Sequence, residues 1–379
     1  MNAIDVDFSL DMGRTTRRSI QQSFFSYCEQ LLEIALILTY ESGRFLRRLW
    51  ERTGKEVSFN KQLRTEDNGD GGWITRNRQY QTHNPRMSAQ RRSSGGEGDF
   101  IRREDKVSIR LPRLVSVVCG FAKDRITHSQ YNRGKFGEDA WFMTSNSMSH
   151  TLGVADGVGG WRSYGVDPGE FSMFLMRSCE QLSCAKDYKP ERPDLLLGRA
   201  YGVLLEQTCP VVGSCTACIL TLNRANSTLY TANIGDSGFL VVRSGAVVCR
   251  SVEQQHHFNT PYQLSSPPPG HDLNVLSDGP ESADLIEFPT QLGDVIILAT
   301  DGVYDNVPEG FLVEILNEMS GVSDPVRLQM TANAVALMAR TLSFNPNHDS
   351  PFSQNARKLN IDASGGKPDD ITVILATVV

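Results

Sequence analysis

The sequence lacks a long uninterrupted apolar stretch. Hydrophobic residues make up 40% of its 379 positions, which is ordinary for a globular protein and enough for a sizeable core. The apolar segment 24–50 is interrupted by Glu29, Glu33 and Glu41, so no window approaches the roughly 20 uncharged residues that a bilayer requires. The chain also lacks the apolar core of a secretory signal peptide. We therefore predict a protein that neither spans a membrane nor is secreted.

Cysteine and histidine are not arranged as disulfide or zinc sites. The eight cysteines are scattered along the chain, unlike those of small disulfide-bonded secreted domains. Cys215 and Cys218 form a C-x-x-C pair, but no second Cys or His pair follows at zinc-binding spacing. We predict that both thiols are reduced and buried in a strand. His256 and His257 would point to opposite faces of a strand, so we interpret them as surface residues.

Basic charge is scarce beyond the first hundred residues. Residues 1–104 carry 17 Lys and Arg against 14 Asp and Glu, whereas the remainder carries 21 against 30. An acidic remainder argues against non-specific nucleic-acid binding there. It fits either a domain whose carboxylates coordinate divalent cations or one with a solvated acidic surface.

The composition divides the chain into an N-terminal region, 1–104, and a catalytic domain, 105–379. Segment 24–50 has the apolar spacing of an amphipathic helix, and 52–104 is polar and rich in Arg, Ser and Gly, which predicts a disordered linker. An amphipathic, Arg-bearing N-terminus is compatible with organelle targeting, although the three aspartates among the first eleven residues disfavour it.

Strands and helices are predicted in blocks from about Val107 onward. Strands are predicted at 114–121, 140–143, 151–155, 214–222, 228–234, 238–242, 246–249, 284–288, 294–299 and 371–379, and helices at 167–182, 194–207, 308–319 and 325–342. Because strands and helices do not alternate strictly, the pattern predicts an α+β domain with mainly antiparallel sheets.

Acidic residues stand at the ends of four predicted strands. They are Glu138 and Asp139, Asp156, Asp301, and Asp369 and Asp370. Alone, an Asp-Gly pair after a strand is most simply a turn. If the four strands are neighbours, however, the acids line one rim. Hard oxygen ligands without His or Cys select Mg²⁺ or Mn²⁺ over zinc.

Two such ions about 3.5–4 Å apart would hold a water between them, lower its pKa and direct it at phosphorus. They would also neutralise the charge on a transferring phosphoryl group. The chemistry would then need no side-chain nucleophile.

Six motifs in sequence order resemble the metal-dependent type 2C serine/threonine protein phosphatases across 106–379. They are G-E-D-A, V-A-D-G-V-G-G, G-S-C-T-A, N-I-G-D-S, L-A-T-D-G-V-Y-D-N and K-P-D-D-I-T-V. The resemblance implies a sandwich of two antiparallel β-sheets flanked by α-helices, a cleft with two Mg²⁺ or Mn²⁺ ions at its edge, and phosphorylated protein substrates. The segment G-V-A-D-G-V-G-G-W-R-S-Y-G-V-D-P is similar to the mitochondria-associated branch, which implies a mitochondrial location, with the cytoplasm as the alternative. We expect a monomer.

The resemblance also assigns roles to individual residues. Asp156 matches the bridging metal ligand and Gly157 the ligand that binds through its backbone carbonyl. Asp301 and Asp369 match further ligands of the two-metal centre, and Asp156 and Asp301 are the central catalytic acids. Glu138 and Asp139 match acids that bind largely through coordinated water.

Two positions depart from the family pattern. Val158 stands where many members carry a His that can protonate the leaving alcohol, so that proton must come from metal-bound water or another residue. The usual phosphate-binding Arg has no clean match, and Arg133 or Lys135 are the candidate substitutes. We interpret Asp236 as a turn residue, Asp305 as a residue that orients its loop and Trp161 as a packing residue.

Three functions remain open at this point. The first is an active phosphatase, which the full set of metal acids favours. The second is a catalytically weak phosphoprotein-binding module of the same fold, which Val158 makes conceivable. The third is a two-metal nuclease, which the acidic domain disfavours.

Overall fold

The computed structural model describes residues 111–123, 134–268 and 275–379. The predicted helix at 24–50, the predicted linker and Arg133 lie outside these ranges. The division of the chain near residue 104 therefore stays a prediction.

Two antiparallel β-sheets lie at the centre of the fold. The five-stranded sheet has the order β1 (Leu114–Phe121), β15 (Ile371–Val378), β14 (Val295–Ala299), β8 (Gly238–Arg243) and β9 (Ala246–Arg250). The six-stranded sheet has the order β13 (Asp284–Pro289), β7 (Thr228–Ile234), β6 (Ala217–Asn223), β4 (Ser149–Ala155), β3 (Asp139–Ser145) and β2 (Lys135–Phe136). Two short pairs accompany them, β5 (Gly213–Cys215) with β12 (Leu264–Ser266), and β10 (Gln255–His257) with β11 (Thr260–Pro261).

Helices cover the outer faces of both sheets. The six-stranded sheet packs against α1 (Pro168–Ser183) and α2 (Pro193–Leu205), and the five-stranded sheet against α4 (Glu309–Asn317) and α5 (Pro325–Ser343). The short helices α3 (Asp301–Tyr304) and α6 (Pro351–Lys358) and two 3₁₀ turns, Gly159–Tyr164 and Pro280–Ser282, complete the described structure. In these ranges no helix is long and apolar enough to cross a membrane.

The apolar core is divided into three layers, which confirms the predicted sandwich. Between the sheets, Leu152 of β4 and Leu220 of β6 face Phe239 of β8 and Ile296 of β14, and each is at most 1% exposed. Two outer layers join each sheet to its helices. Because alternate residues of a strand face opposite sides, strands covered on both faces read as nearly continuous apolar runs.

The structure corrects several local predictions. The predicted strand 214–222 is broken at Thr216, whose backbone N–H donates to the carbonyl of Asp156 at 2.9 Å. The predicted turn after Asp301 is a helical turn, and α6 has no counterpart in the prediction because its sequence is mostly polar. His257 is exposed as predicted, whereas half-buried His256 hydrogen bonds to Asp278 at 3.0 Å.

The prediction for the C-x-x-C pair is confirmed. Cys215 and Cys218 are both fully buried and carry free thiols. Burial raises the pKa of both thiols, so they are unreactive packing groups.

Candidate active site

The predicted acids lie at the ends of four strands that belong to both sheets. In the six-stranded sheet, Asp139 begins β3 and Asp156 directly follows β4, the strand paired with β3. In the five-stranded sheet, Asp301 opens α3 shortly after β14, and Asp369 and Asp370 precede the neighbouring β15.

Direct contacts join the two groups of acids. The backbone N–H of Glu138 donates to Oδ2 of Asp370 at 2.7 Å, and the hydroxyl groups of Thr300 and Thr372 donate to Asp139 across the same boundary. The structure therefore brings the acids of both sheets together at one rim, as the hypothesis of neighbouring strands requires.

The backbone around Asp156 is fixed on both sides. The N–H of Asp156 donates to Oγ1 of Thr216 at 3.1 Å, and the N–H of Gly157 donates to the carbonyl of Glu138 at 3.2 Å. A Cβ on Gly157 would lie 2.8 Å from the carbonyl oxygens of both Glu138 and Pro168. This close approach explains the glycine without reference to a metal.

Asp139 is held by two hydroxyl groups of the opposite sheet. Its Oδ2 accepts hydrogen bonds from Thr300 Oγ1 and Thr372 Oγ1, both at 2.8 Å. Its Oδ1 is buried and has no hydrogen-bond partner among the described residues. Burial and the nearby charge of Asp370 raise the pKa of Asp139 well above its ordinary value.

Lys367 is the cation at the centre of this acid cluster. Its Nζ donates to Asp301, lies 2.7 Å from Oδ2 of Asp305 and lies 3.3 Å from Oδ2 of Asp369. Burial raises the pKa of Asp301, but Lys367 more than offsets this and holds the value below normal. Burial also raises the pKa of Asp305 to about 7. Asp305 therefore forms an ion pair with Lys367 inside the site. Its predicted role, to orient its loop, did not include this contact.

Further basic residues contact the acids at the edge of the site. Arg162 donates from Nε to Glu138, and Lys123 Nζ lies 3.3 Å from Oδ1 of Asp369. Lys135 forms ion pairs with Asp167 at 3.1 Å and Glu170 at 3.3 Å. Its ammonium is engaged by two acids, and its role in phosphate binding stays a prediction.

Sequence reasoning missed three basic contributors to the site, which are Lys123, Arg162 and Lys367. It placed Asp370 at the rim but did not reveal that this carboxylate accepts hydrogen bonds from the backbone N–H groups of Lys123 and Glu138. Lys367 had a visible signal, because it stands two residues before Asp369 in the quoted K-P-D-D motif. Asp236, interpreted as a turn acid, is 6% exposed, and burial and the charge of Asp301 raise its pKa well above normal. Trp161 packs as predicted and donates to Ser214 Oγ at 2.7 Å.

The donor chemistry at the rim fits a hard divalent cation. As the side chains stand, no group of three or more acidic, His or Cys residues in the described ranges is arranged to hold a metal ion. However, Oδ1 of Asp139 and Oδ1 of Asp301 are both buried without a hydrogen-bond partner in those ranges. Burial and the charge of Asp301 also raise the pKa of Asp156. Unpaired carboxylate oxygens and mutual repulsion are both relieved by a bound cation.

Comparisons with known proteins agree with this geometry. The human "Protein phosphatase PTC7 homolog" is 46% identical over 288 residues, which cover 76% of this chain and 90% of that protein. Its Xenopus laevis counterpart is 47% identical over 265 residues, covering 70% and 89%. The solved structure of the photosystem II phosphatase PBCP is 29% identical and has a TM-score of 0.60, covering 70% of this chain and 99% of that one. No family model matches the chain.

The two-sheet sandwich and the acids at its rim, together with these similarities, define a type 2C protein phosphatase. The chain belongs to this family, in the group of the PTC7 homologues. It is a metal-dependent serine/threonine protein phosphatase.

Proposed function

We propose that the rim formed by Asp156, Asp301 and Asp369 removes phosphate from serine and threonine side chains by means of two Mg²⁺ or Mn²⁺ ions. The observation that carries the proposal is the convergence of acids from both sheets, fixed by the bond between Glu138 and Asp370. Nothing else in the described part of the chain gathers so many carboxylates around buried, unpaired oxygens.

Each residue has a distinct task in this proposal. Asp156, Asp301 and Asp369 would hold the ions directly, and Gly157 would contribute its backbone carbonyl. Glu138 and Asp139 would act mainly through coordinated water. When bound, the ions supply Lewis acidity, which lowers the pKa of water and neutralises charge on the phosphoryl group.

The substrate phosphate and the leaving alcohol need further groups. Lys135 and Arg133 are the candidates for the phosphate, and Arg162 joins them because its Nε contacts Glu138 while the side chain is 65% exposed. Val158 has no proton to donate from its side chain, and its N–H donates to the carbonyl of Ser214 at 3.0 Å. The leaving group therefore takes its proton from coordinated water or from a residue other than Val158.

Val158 also supports a second candidate function, a catalytically weak module that binds phosphoproteins. This module would keep the rim and its affinity for phosphate but would not release the alcohol efficiently.

Hydrolysis measured after removal of metal separates the two candidates. The chelator-treated chain should hydrolyse p-nitrophenyl phosphate and a phosphothreonine peptide only after Mn²⁺ or Mg²⁺ is added. Asp139→Asn should lose this activity, whereas Asp187→Asn, whose side chain is 69% exposed and pairs with Arg199, should retain it. Phosphopeptide binding without hydrolysis would support the module, and equal hydrolysis without metal would refute the metal mechanism.

We further propose a mitochondrial location, with the cytoplasm as the alternative. The support is the amphipathic, Arg-bearing segment 24–50 and the resemblance of 153–168 to the mitochondria-associated branch. Imaging a C-terminally tagged chain with and without residues 1–50 tests this. Mitochondrial signal that depends on the segment is expected, and diffuse cytosolic signal from both forms would overturn it.

A further inference from the structure

A groove of about 500 Å³ lies along one side of α1, outside the acid cluster. One wall is formed by Asp167, Glu170, Met173, Phe174 and Arg177, and the other by the loop 209–212. None of these residues has a role in the proposed hydrolysis.

Both walls are attached to the strand end that carries Asp156. At the start of α1, the carbonyl of Pro168 abuts Gly157, and Ser172 Oγ donates to the carbonyl of Glu138 at 2.5 Å. The loop 209–212 leads into β5, where the carbonyl of Ser214 accepts the N–H of Val158. The groove therefore begins beside the active site and runs away from it along the helix.

The floor of the groove is apolar and its two ends differ in charge. Met173, Phe174 and Val211 are half-buried. Asp167 and Glu170, 53% and 57% exposed, stand at the end near the site with Lys135 between them. Arg177, at the far end, is exposed and makes no hydrogen bond or ion pair with the described residues. This guanidinium is free to meet an acidic group on a ligand.

The length of the groove suits a short extended peptide. Asp167 and Arg177 are ten positions apart, which corresponds to about 15 Å along a helix that rises about 1.5 Å per residue. An extended chain advances about 3.3 Å per residue, so four or five residues span this distance.

We propose that this groove binds the segment of a phosphoprotein substrate that flanks the phosphorylated residue, and that Arg177 selects an acidic side chain within that segment. An apolar side chain of the same segment lies on Met173 and Phe174. The inference rests on the proposed function and adds a determinant of substrate sequence to it.

The proposal is tested by measuring how a charge on the peptide changes its hydrolysis, before and after the charge at position 177 is reversed. Phosphothreonine peptides that carry a single Glu or Lys at successive positions on either side are compared by kcat/KM, with p-nitrophenyl phosphate as the small substrate. The wild-type chain should favour Glu over Lys at one register by about two- to fivefold, the range for an exposed ion pair. Arg177→Glu should reverse this preference, Arg177→Lys should retain it, and hydrolysis of p-nitrophenyl phosphate should be unchanged in both.

Arg199→Glu is the matched control, because Arg199 is an exposed arginine on α2 that does not line the groove. A flat peptide profile in the wild-type chain, with p-nitrophenyl phosphate hydrolysis intact, would overturn the groove proposal alone. An equal change of preference in Arg199→Glu would also overturn it, since long-range charge would then explain the effect. If the wild-type chain hydrolyses neither the peptides nor p-nitrophenyl phosphate, the proposed function is overturned and the groove's role with it.

Discussion

Lys367 donates a hydrogen bond of 2.7 Å from Nζ to Oδ2 of Asp305. Burial alone would lower the pKa of Lys367, but Asp301, Asp305 and Asp369 raise it well above its ordinary value. The ammonium therefore stays charged and offsets part of the repulsion among the acids. It supplies positive charge where a divalent cation is also expected.

Removal of this ammonium should make the fold more dependent on metal. Lys367→Met leaves buried carboxylates uncompensated, so we expect the free energy of unfolding in chelator to fall by about 3 kcal/mol. Added Mn²⁺ should recover a larger share of stability in the variant than in the wild-type chain. Thermal and urea unfolding with and without Mn²⁺ measure both effects. Lys358→Met, at an exposed position, is the control, and equal losses in the two variants would contradict the role of Lys367.

The glycines that follow Asp156 should respond differently to the same change. Gly157→Ala places a Cβ 2.8 Å from two backbone oxygens, so the strand end must shift, at a cost of about 1–3 kcal/mol in stability. Because the shift moves Asp156, the loss of transition-state stabilisation calculated from kcat/KM should exceed the loss in the free energy of unfolding. Gly160→Ala meets no atom within 4 Å and should change neither quantity. Unaltered kinetics in Gly157→Ala would show that the tight approach does not position the site.

His150, at the beginning of β4, should make the fold sensitive to acid. Burial, followed by the charges of Arg224 and Arg113, lowers the pKa of His150 from 6.5 to about 4. Between these values the unfolded chain binds more protons than the folded chain, so stability falls as pH falls from about 6.5 to 4. The full effect is about 3 kcal/mol, at 1.36 kcal/mol per pKa unit.

This effect is tested by measuring the free energy of unfolding in urea at pH 7, 5.5 and 4, with chelator present throughout. The wild-type chain should lose its stability advantage over His150→Asn as the pH falls. His257→Asn, at an exposed position, should follow the wild-type curve. A constant difference between the wild-type chain and His150→Asn across the range would contradict the proposed protonation.

The sandwich could be predicted because its signals are local and repeated. Strands such as 295–299 and 371–378 are continuous or nearly continuous apolar runs, and Pro168 and Pro325 mark the first residues of α1 and α5. In contrast, α6 begins with the same signal, Pro351 after the cap Ser350, but it is only 8 residues long and mostly polar, so it offers no apolar run. Phe352 packs against Phe258 with ring centroids 5.0 Å apart and ring planes tilted by 33°, and a partner so distant in sequence cannot be read from local spacing.

The acids of the candidate site were visible as strand ends, but their partners were not. The pairing of Glu138 with Asp370 joins positions 232 residues apart, which no spacing rule can reveal. For the same reason Lys135 stayed one of two phosphate-binding candidates and Arg162 was missed, since only the fold shows which carboxylates they contact.

In our proposal, acids of both sheets bind the metal that hydrolysis requires. Calorimetric titration of Mn²⁺ into the chelator-treated wild-type chain and into Asp301→Asn, with p-nitrophenyl phosphate turnover followed on the same samples, measures both metal binding and hydrolysis. The wild-type chain should bind two ions and gain turnover as they bind. Asp301→Asn should bind fewer ions and show no turnover while it keeps a cooperative unfolding transition. Full turnover in chelator, or wild-type turnover by Asp301→Asn, would refute catalytic metal binding at this rim.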